Sequence, residues 1–86
     1  MKVGFSKQFE KQYTKLLPRA KLRFQQQLDT FMNDAYDSRL LNHPLRGKYT
    51  GYRSINITGD YRAVYKMANE TTVRFVAIGT HSQLYR

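Results

Sequence analysis

Apolar side chains recur at helical spacing in the first part of the chain. One set lies at i, i+4, i+7 and i+8, and therefore on one stripe of a helix: Phe9, Tyr13, Leu16 and Leu17. The hydroxyl of Ser6 is suited to cap the first turn of this helix, and Pro18 ends it. The segment 2–5, which precedes the cap, predicts a short strand.

A second helical pattern follows directly. Residues 19–35 carry four apolar side chains on one face: Phe24, Leu28, Phe31 and Ala35. The glutamines at 25–27 fall mostly on the opposite face. Because Pro18 suits the first turn of a helix, it separates the two patterns and also starts the second. The pair predicts an αα-hairpin with one apolar side.

The second half of the chain changes from helical spacing to strands. A loop rich in Asn, Pro and Gly is predicted at 37–51. Three segments rich in Val, Ile, Phe and Tyr then alternate with turn residues: 52–57, 61–67 and 72–78. Because the turns between them are short, these strands form an antiparallel meander.

The predicted order of elements is β-α-α-β-β-β. This order predicts an α+β fold in which the helical hairpin packs on one face of a small antiparallel sheet. In the first strand of the meander, Ile55 and Ile57 face one way, whereas Ser54 and Asn56 face the other. The helices cover the apolar face and leave the polar face open. We therefore expect the functional residues on the open face.

Charge narrows the range of partners. The 86 residues include 15 basic and 6 acidic side chains, which give a formal net charge of +9. The length predicts a single domain over residues 1–86. The basic excess predicts attraction to nucleic acid or to an acidic protein, although a basic surface also serves solubility alone.

Composition excludes several classes of site. The chain has no cysteine, so it forms no disulfide or thiolate zinc site, and this fits a reducing cytoplasm. No glycine-rich phosphate loop or metal-ligand cluster is present, so we expect neither cofactor nor metal. No apolar segment approaches the ~20 residues of a membrane span, and the charged segment 1–12 lacks the apolar part of a signal peptide. We expect a cytoplasmic protein with no membrane partner.

The candidate chemistry lies around the meander and the segment that follows it. Polar and ionisable side chains approach one sheet face and its rim: Arg46, Lys48, Arg53, Ser54, Asn56, Asp60, Arg62, His81, Tyr85 and Arg86. Arginine suits phosphate because its guanidinium binds two oxygens at once. A histidine can protonate a leaving oxygen, and a tyrosine can stack on a base. The set predicts a phosphate-bearing substrate, and RNA offers its own nucleophile, the 2′-OH.

Each candidate also has a structural interpretation. Arg62 is also suited to be a strand-edge charge, although function is favoured there. Asp60 follows a glycine in a turn, where Asp is common. His43 precedes a proline in the loop, where a backbone hydrogen bond explains it as well as function does. Tyr85 is suited to plug the core. His81 is the strongest candidate because it directly follows a buried strand.

Four segments together resemble one protein family. They are NHPLRG at 42–47, GYR at 51–53, GDYRAVY at 59–65 and GTHSQLY at 79–85. In this order they are similar to the RelE/ParE superfamily of bacterial toxins, and the His-Pro-Leu and Gly-Thr-His pieces are most similar to its YafQ-like branch. The resemblance implies an endoribonuclease toxin of a type II toxin–antitoxin pair. Such toxins cut mRNA on the ribosome and are silenced by a cognate antitoxin.

The resemblance also implies roles for single residues. His81 matches the histidine thought to act as general acid, and Tyr85 matches the aromatic that stacks on or orients the nucleotide. Arg62 matches the arginine expected to hold the scissile phosphate. Asp60 matches an acidic residue implicated in base catalysis or positioning, and His43 matches the loop histidine.

Two positions depart from the family pattern. Asn56 stands where the YafQ-like pattern can have a histidine, and Ser54 is less basic than the RelE-like pattern. Asparagine does not act as a general base at neutral pH. Proton abstraction then falls to His43, to Asp60 or to a ribosomal group, or the 2′-OH is activated by positioning alone.

Two other functions stay open from the sequence. ParE-like relatives share the fold and inhibit DNA gyrase without cutting RNA. A plain RNA-binding module also accounts for the charge. The presence of His81 and Asp60 favours the nuclease.

Overall fold

A computed structural model describes residues 1–85 of the chain. Its elements, in chain order, are β1 (Lys2–Phe5), α1 (Lys7–Thr14), α2 (Pro18–Asn33), β2 (His43–Pro44), β3 (Arg53–Thr58), β4 (Tyr61–Asn69), β5 (Thr72–Thr80) and α3 (His81–Leu84). Single 3-10 turns at Ser38–Leu40 and Gly47–Tyr49 lie within the predicted loop. The predicted strands and helices are all present, and β2 and α3 are additional to them.

The strands form one sheet in the order β1-β5-β4-β3-β2. Neighbours from β2 to β5 pair antiparallel, which confirms the predicted meander. In contrast, β1 lies parallel to β5, with Val3 opposite Val73. The α+β class is confirmed, but the sheet is mixed rather than wholly antiparallel. Short turns fix the direction only of the strands that they join, and no short turn joins β1 to β5.

The two long helices bury one face of the sheet. The buried side chains of this larger core are Phe9, Phe24, Phe31, Leu40, Ile55, Ile57, Ala63, Tyr65, Val73, Phe75 and Ile78. The rings of Phe24 and Phe75 meet edge to face, with centroids 5.6 Å apart, an arrangement that the charge distribution of aromatic rings favours. The apolar faces predicted for α2 and β3 therefore meet in this core.

Two helix residues lie elsewhere than predicted. Leu17 is 67% exposed rather than on the apolar stripe, because α1 has already ended. Its backbone is extended, since a residue before proline is pushed out of the helical region. Gln27 is buried, and its side-chain amide donates to the carbonyl of Asn56 at 2.9 Å and to that of Arg39 at 3.2 Å. Those bonds satisfy the amide, which lets a polar side chain lie inside the core.

A smaller core covers part of the face that was predicted to be open. Its buried residues are Val64, Ala77 and Leu84, with Leu45, Tyr49, Tyr52, Val76 and Tyr85 packed against them. The helical turn α3 and the loop before β3 supply most of this cover. The polar side chains of β3 and β4 lie beside this smaller core. Within residues 1–85, no helix is long and apolar enough to cross a membrane.

Candidate active site

A cleft of about 160 Å³ opens beside the smaller core. It is lined by His43, Leu45, Arg46, Ser54, Arg62, His81 and Tyr85. All of these except Leu45 are residues that the sequence predicts for the site. They come from β2, β3, β4, α3 and the loop, and the sheet pairing brings these distant segments together.

His81 is the first residue of α3. Its backbone N–H donates to the carbonyl oxygen of Asp60 at 3.0 Å, which ties α3 to the β3–β4 turn. One turn later, the N–H of Tyr85 donates to the carbonyl of His81 at 3.0 Å. The two rings therefore lie against each other, with centroids 4.7 Å apart. His81 is exposed on this turn, so its imidazole is accessible to a substrate.

A capping box holds α3 in place. The hydroxyl of Thr80 accepts a hydrogen bond from the N–H of Gln83, and the Gln83 side chain accepts one from the N–H of Thr80 at 2.8 Å. These reciprocal bonds satisfy two donors that a helix start would otherwise leave unpaired. Leu84 is buried in the smaller core and anchors the other end. A four-residue helix is too short to be stable alone, so these contacts decide where His81 lies.

His43 is oriented by the backbone before it. Its Nδ1 lies 2.8 Å from the carbonyl oxygen of Leu41. A carbonyl oxygen only accepts, so Nδ1 carries the proton and Nε2 is left as the acceptor in the neutral ring. Leu41 has a φ of 49°, a left-handed conformation that is costly for a branched side chain and turns its carbonyl toward the ring. The predicted backbone hydrogen bond is thus present, and it leaves a basic nitrogen available.

Arg62 is held at one nitrogen. Its Nη1 donates to the side-chain oxygen of Asn56 at 2.6 Å, to the carbonyl of Gly59 at 2.8 Å and to that of Tyr61 at 3.0 Å. Asn56 lies directly across from Arg62 in the β3–β4 register. The amide of Asn56 therefore contacts the arginine, and Asn56 is not among the residues that line the cleft.

Two hydroxyl groups in the cleft have no protein partner. Ser54 Oγ and Tyr85 Oη are buried and make no hydrogen bond to any of residues 1–85. Unpaired buried hydroxyls are rare because they lose their hydration without replacement. Both residues line the cleft, and the two hydroxyl oxygens lie beneath its surface.

Besides Asn56, three of the predicted residues lie outside the cleft, namely Lys48, Arg53 and Asp60. Lys48 lies over the ring of Tyr49, with its Nζ 5.3 Å from the ring centroid. Arg53 donates from Nε to Asn42 at 2.8 Å. The carboxylate of Asp60 is exposed in the β3–β4 turn, and its backbone carbonyl makes the contact to α3. Arg86 lies outside the described residues.

Asn42, which precedes His43, supports the loop and was not predicted from the sequence as a site residue. The amide nitrogen of Asn42 donates to the carbonyl of Ala35 at 2.8 Å and to the hydroxyl of Tyr65 at 2.7 Å. Its oxygen accepts the bond from Arg53. Asn42 therefore ties the loop to the turn after α2, to β3 and to β4. The only sequence signal was its place at the head of the NHPLRG segment.

The cleft carries unneutralised positive charge. Among residues 1–85, the single ion pair joins Arg39 and Asp37 at 2.9 Å, away from the cleft. That contact lowers the pKa of Asp37 to about 2, through the hydrogen bond from the Arg39 guanidinium. Within this described part of the chain, Arg46 and Arg62 have no such partner, so their charge is available to an anion. The same residues contain no group of three or more His, Cys, Asp or Glu side chains that could hold a metal ion.

The fold is that of small bacterial toxins. The structure matches that of YafQ from E. coli strain BL21(DE3) with a TM-score of 0.82 and 24% identity, over 98% of this chain and 97% of that one. It also matches the E. coli DinJ-YafQ toxin-antitoxin complex with a TM-score of 0.79 and 25% identity, over 98% and 96% of the two chains.

The sequence identifies the family within this class. The model of the family described as "Bacterial toxin of type II toxin-antitoxin system, YafQ" matches residues 1–86. The chain therefore belongs to the YafQ family. The mRNA interferase toxin YafQ of Escherichia coli (strain K12) is 36% identical to it over 44 residues, which are 51% of this chain and 47% of that protein. The chain thus matches about half the length of this relative.

These matches confirm the predicted family and its branch. The RelE/ParE resemblance came from four short segments, whereas the family match spans the whole chain. The match to YafQ disfavours the ParE-like alternative of a gyrase inhibitor.

Proposed function

We propose that this toxin is an endoribonuclease that cuts mRNA on the ribosome and so stops translation. One observation carries the proposal: the cleft brings His43, His81, Arg62 and Tyr85 together on a positively charged face. The E. coli relative named as an mRNA interferase supports the same activity.

The proposed reaction is an internal displacement at phosphorus. Nε2 of His43 takes the proton of a 2′-OH, and the freed oxygen forms a bond to the adjacent phosphorus. The bond from phosphorus to the 5′-oxygen breaks, and His81 gives that oxygen a proton. The products are a 2′,3′-cyclic phosphate and a 5′-OH, so no metal is required for this step.

The other side chains of the cleft stabilise charge and orientation. Arg62 and Arg46 balance the negative charge that grows on the phosphate oxygens in the transition state. Tyr85 holds a base by stacking. The RNA-binding role predicted for Ser54 stays a prediction, because its side chain is fully buried. Lys48 and Arg53 are proposed to contact the RNA backbone outside the cleft, and the RNA contact predicted for Arg86 stays a prediction. The catalytic role predicted for Asp60 stays a prediction, and its carbonyl already serves to place His81.

The proposed partners are the ribosome, mRNA and a cognate antitoxin, and the proposed place of action is the cytoplasm. E. coli YafQ has been crystallised in a complex with DinJ. The net charge of +9 favours an antitoxin that presents acidic side chains.

Primer extension on programmed ribosomes tests the activity. We expect the wild-type protein to cut the mRNA and His81→Ala to lose at least about a hundredfold of the rate, since a general acid contributes this much. Ser82→Ala is the matched control, because Ser82 is an exposed neighbour on the same helical turn. Full cutting by His81→Ala, with the wild-type melting temperature, would contradict the proposed role.

A further inference from the structure

The contact between Asn56 and Arg62 has a function of its own. We infer that Asn56 is a positioning residue, which fixes the Arg62 guanidinium for the scissile phosphate and does not itself bind RNA or accept a proton. The inference rests on the proposed function of the cleft. It replaces the RNA-binding role predicted for Asn56 from the sequence.

The hydrogen bonds of Arg62 converge on one side of its guanidinium. Nη1 faces three acceptors, from Asn56, Gly59 and Tyr61, at 2.6 to 3.0 Å. Among residues 1–85, no group accepts a hydrogen bond from its Nε or Nη2. One edge of the planar group is therefore occupied and another is left for a ligand. A guanidinium fixed in this way loses little rotational freedom when it binds a phosphate.

The local backbone is built to hold this contact. Asn56 and Arg62 face each other across β3 and β4, and the register shifts just beyond them, between Asn56 and Thr58. Gly59 has a φ of +50°, which favours glycine, and its carbonyl is one of the three acceptors. On the helix side, the buried amide of Gln27 donates to the carbonyl of Asn56. Asn56 is therefore fixed from both faces of the sheet.

The chemistry of asparagine suits this task. A carboxylate at position 56 would hold Arg62 equally well, but it would neutralise the positive charge and repel the phosphate. An amide oxygen holds the guanidinium and leaves its charge intact. The same amide has no basic lone pair at neutral pH, so it takes no part in proton transfer.

Steady-state kinetics on programmed ribosomes test the inference. We expect Asn56→Ala to lower kcat about tenfold and to leave KM within about twofold, because only the orientation of Arg62 is lost. Asn56→Asp should instead raise KM, since the new charge opposes the RNA. The matched control is Asn33→Ala, at the exposed end of α2, which should cut at the wild-type rate.

A double-mutant cycle separates positioning from direct contact. In an Arg62→Ala background, we expect Asn56→Ala to change the rate by less than about twofold, because the partner through which it acts is gone. If Asn56 touches the RNA itself, the tenfold loss persists in that background, and the inference is overturned.

Arginine side-chain NMR of the free protein tests the hydrogen bond between Asn56 and Arg62 without any RNA. In the wild type, we expect slowed rotation about the Cζ–Nη1 bond of Arg62, and in Asn56→Ala we expect faster rotation. Equal rotation in the two proteins would overturn the inference even if cleavage is intact. Conversely, slowed rotation in a wild-type protein that fails to cut mRNA would confirm that Asn56 fixes Arg62, and it would contradict the proposed function.

Discussion

At the scale of single residues, the two histidines are distinguished by what holds them. The ring of His43 is fixed by the Leu41 carbonyl, which accepts a hydrogen bond from Nδ1–H, so Nε2 is left as an acceptor. His81 is placed through its backbone, and its ring contacts that of Tyr85. This difference suits the proposed reaction, in which His43 takes a proton and His81 gives one.

A substrate with a better leaving group should separate the two roles. With sulfur in place of the 5′-oxygen at the scissile bond, departure needs little protonation. We expect His81→Ala to regain most of the wild-type rate on this mRNA and His43→Ala to stay at least about a hundredfold slower. The measurement is the single-turnover rate on each substrate. Rescue of His43→Ala rather than His81→Ala would reverse the assignment.

At the scale of elements, α3 determines whether the cleft exists. This turn supplies His81 and leads into Tyr85, and it is held by the capping box and by Leu84. Gly79 lies close to the capping box. A Cβ added at this position would lie 2.8 Å from the side-chain oxygen of Gln83. The glycine thus permits the capping box that places His81.

Substitution of this glycine should therefore impair the site more than the fold. In Gly79→Ala, the Gln83 side chain has to move and gives up its bond to Thr80. We expect the free energy of unfolding to fall by about 1 kcal/mol and the cleavage rate to fall at least about tenfold, because His81 shifts. Urea denaturation and primer extension measure the two effects. The control is Gly4→Ala, where no atom lies within 4 Å of the added carbon. Full activity in Gly79→Ala would contradict this role of α3.

The local pattern of apolar and polar residues predicted most of the helices and strands, but it did not predict the pairing of β1 or the presence of α3. The spacing of Phe24 and Phe31 gave α2, and the alternation of Ile55 and Ile57 gave β3, because both signals lie within one element. The parallel pairing of β1 and the four residues of α3 depend on contacts between distant parts of the chain. No periodicity is detectable in so short a helix.

The same limit explains what was missed in the site. The sequence predicted six of the side chains that line the cleft, since their chemistry suits a phosphate. The hydrogen bond from Arg62 to Asn56 could not be predicted, because it depends on which residue lies across from Arg62 in the sheet. The support from Asn42 depends in the same way on Tyr65, which is distant in sequence.

At the scale of the whole molecule, two cores share one sheet. The larger core gives the fold its stability, while the smaller core covers only part of the other face and leaves the cleft beside it. Tyr65 belongs to the larger core and is bonded to Asn42, which reaches toward the loop of His43. Stability and site are therefore linked through this tyrosine.

The pH dependence of stability should report this buried tyrosine. Burial raises the pKa of Tyr65 above its ordinary value of 10.0. The folded protein then holds the Tyr65 proton more tightly than the unfolded chain does. The contribution of Tyr65 to the free energy of unfolding is therefore complete below pH 10, and it is lost as the pH rises through the pKa that Tyr65 has in the folded protein. We expect the free energy of unfolding to fall above pH 10, and to fall less steeply in Tyr65→Phe.

Urea denaturation between pH 8 and about 11 measures this slope. Equal slopes for Tyr65→Phe and the wild type would show that Tyr65 does not cause the alkaline loss.

The most direct test of the proposed reaction is the removal of its nucleophile. A programmed ribosome would carry mRNA with a single 2′-deoxy nucleotide at the scissile position, beside unmodified mRNA, and the fragments and their end groups would be identified. We expect the unmodified mRNA to yield a 2′,3′-cyclic phosphate and a 5′-OH, and the deoxy mRNA to stay intact at that bond. Cleavage of the deoxy mRNA at the same bond would contradict the mechanism, because a nucleophile other than the 2′-OH would then attack the phosphorus.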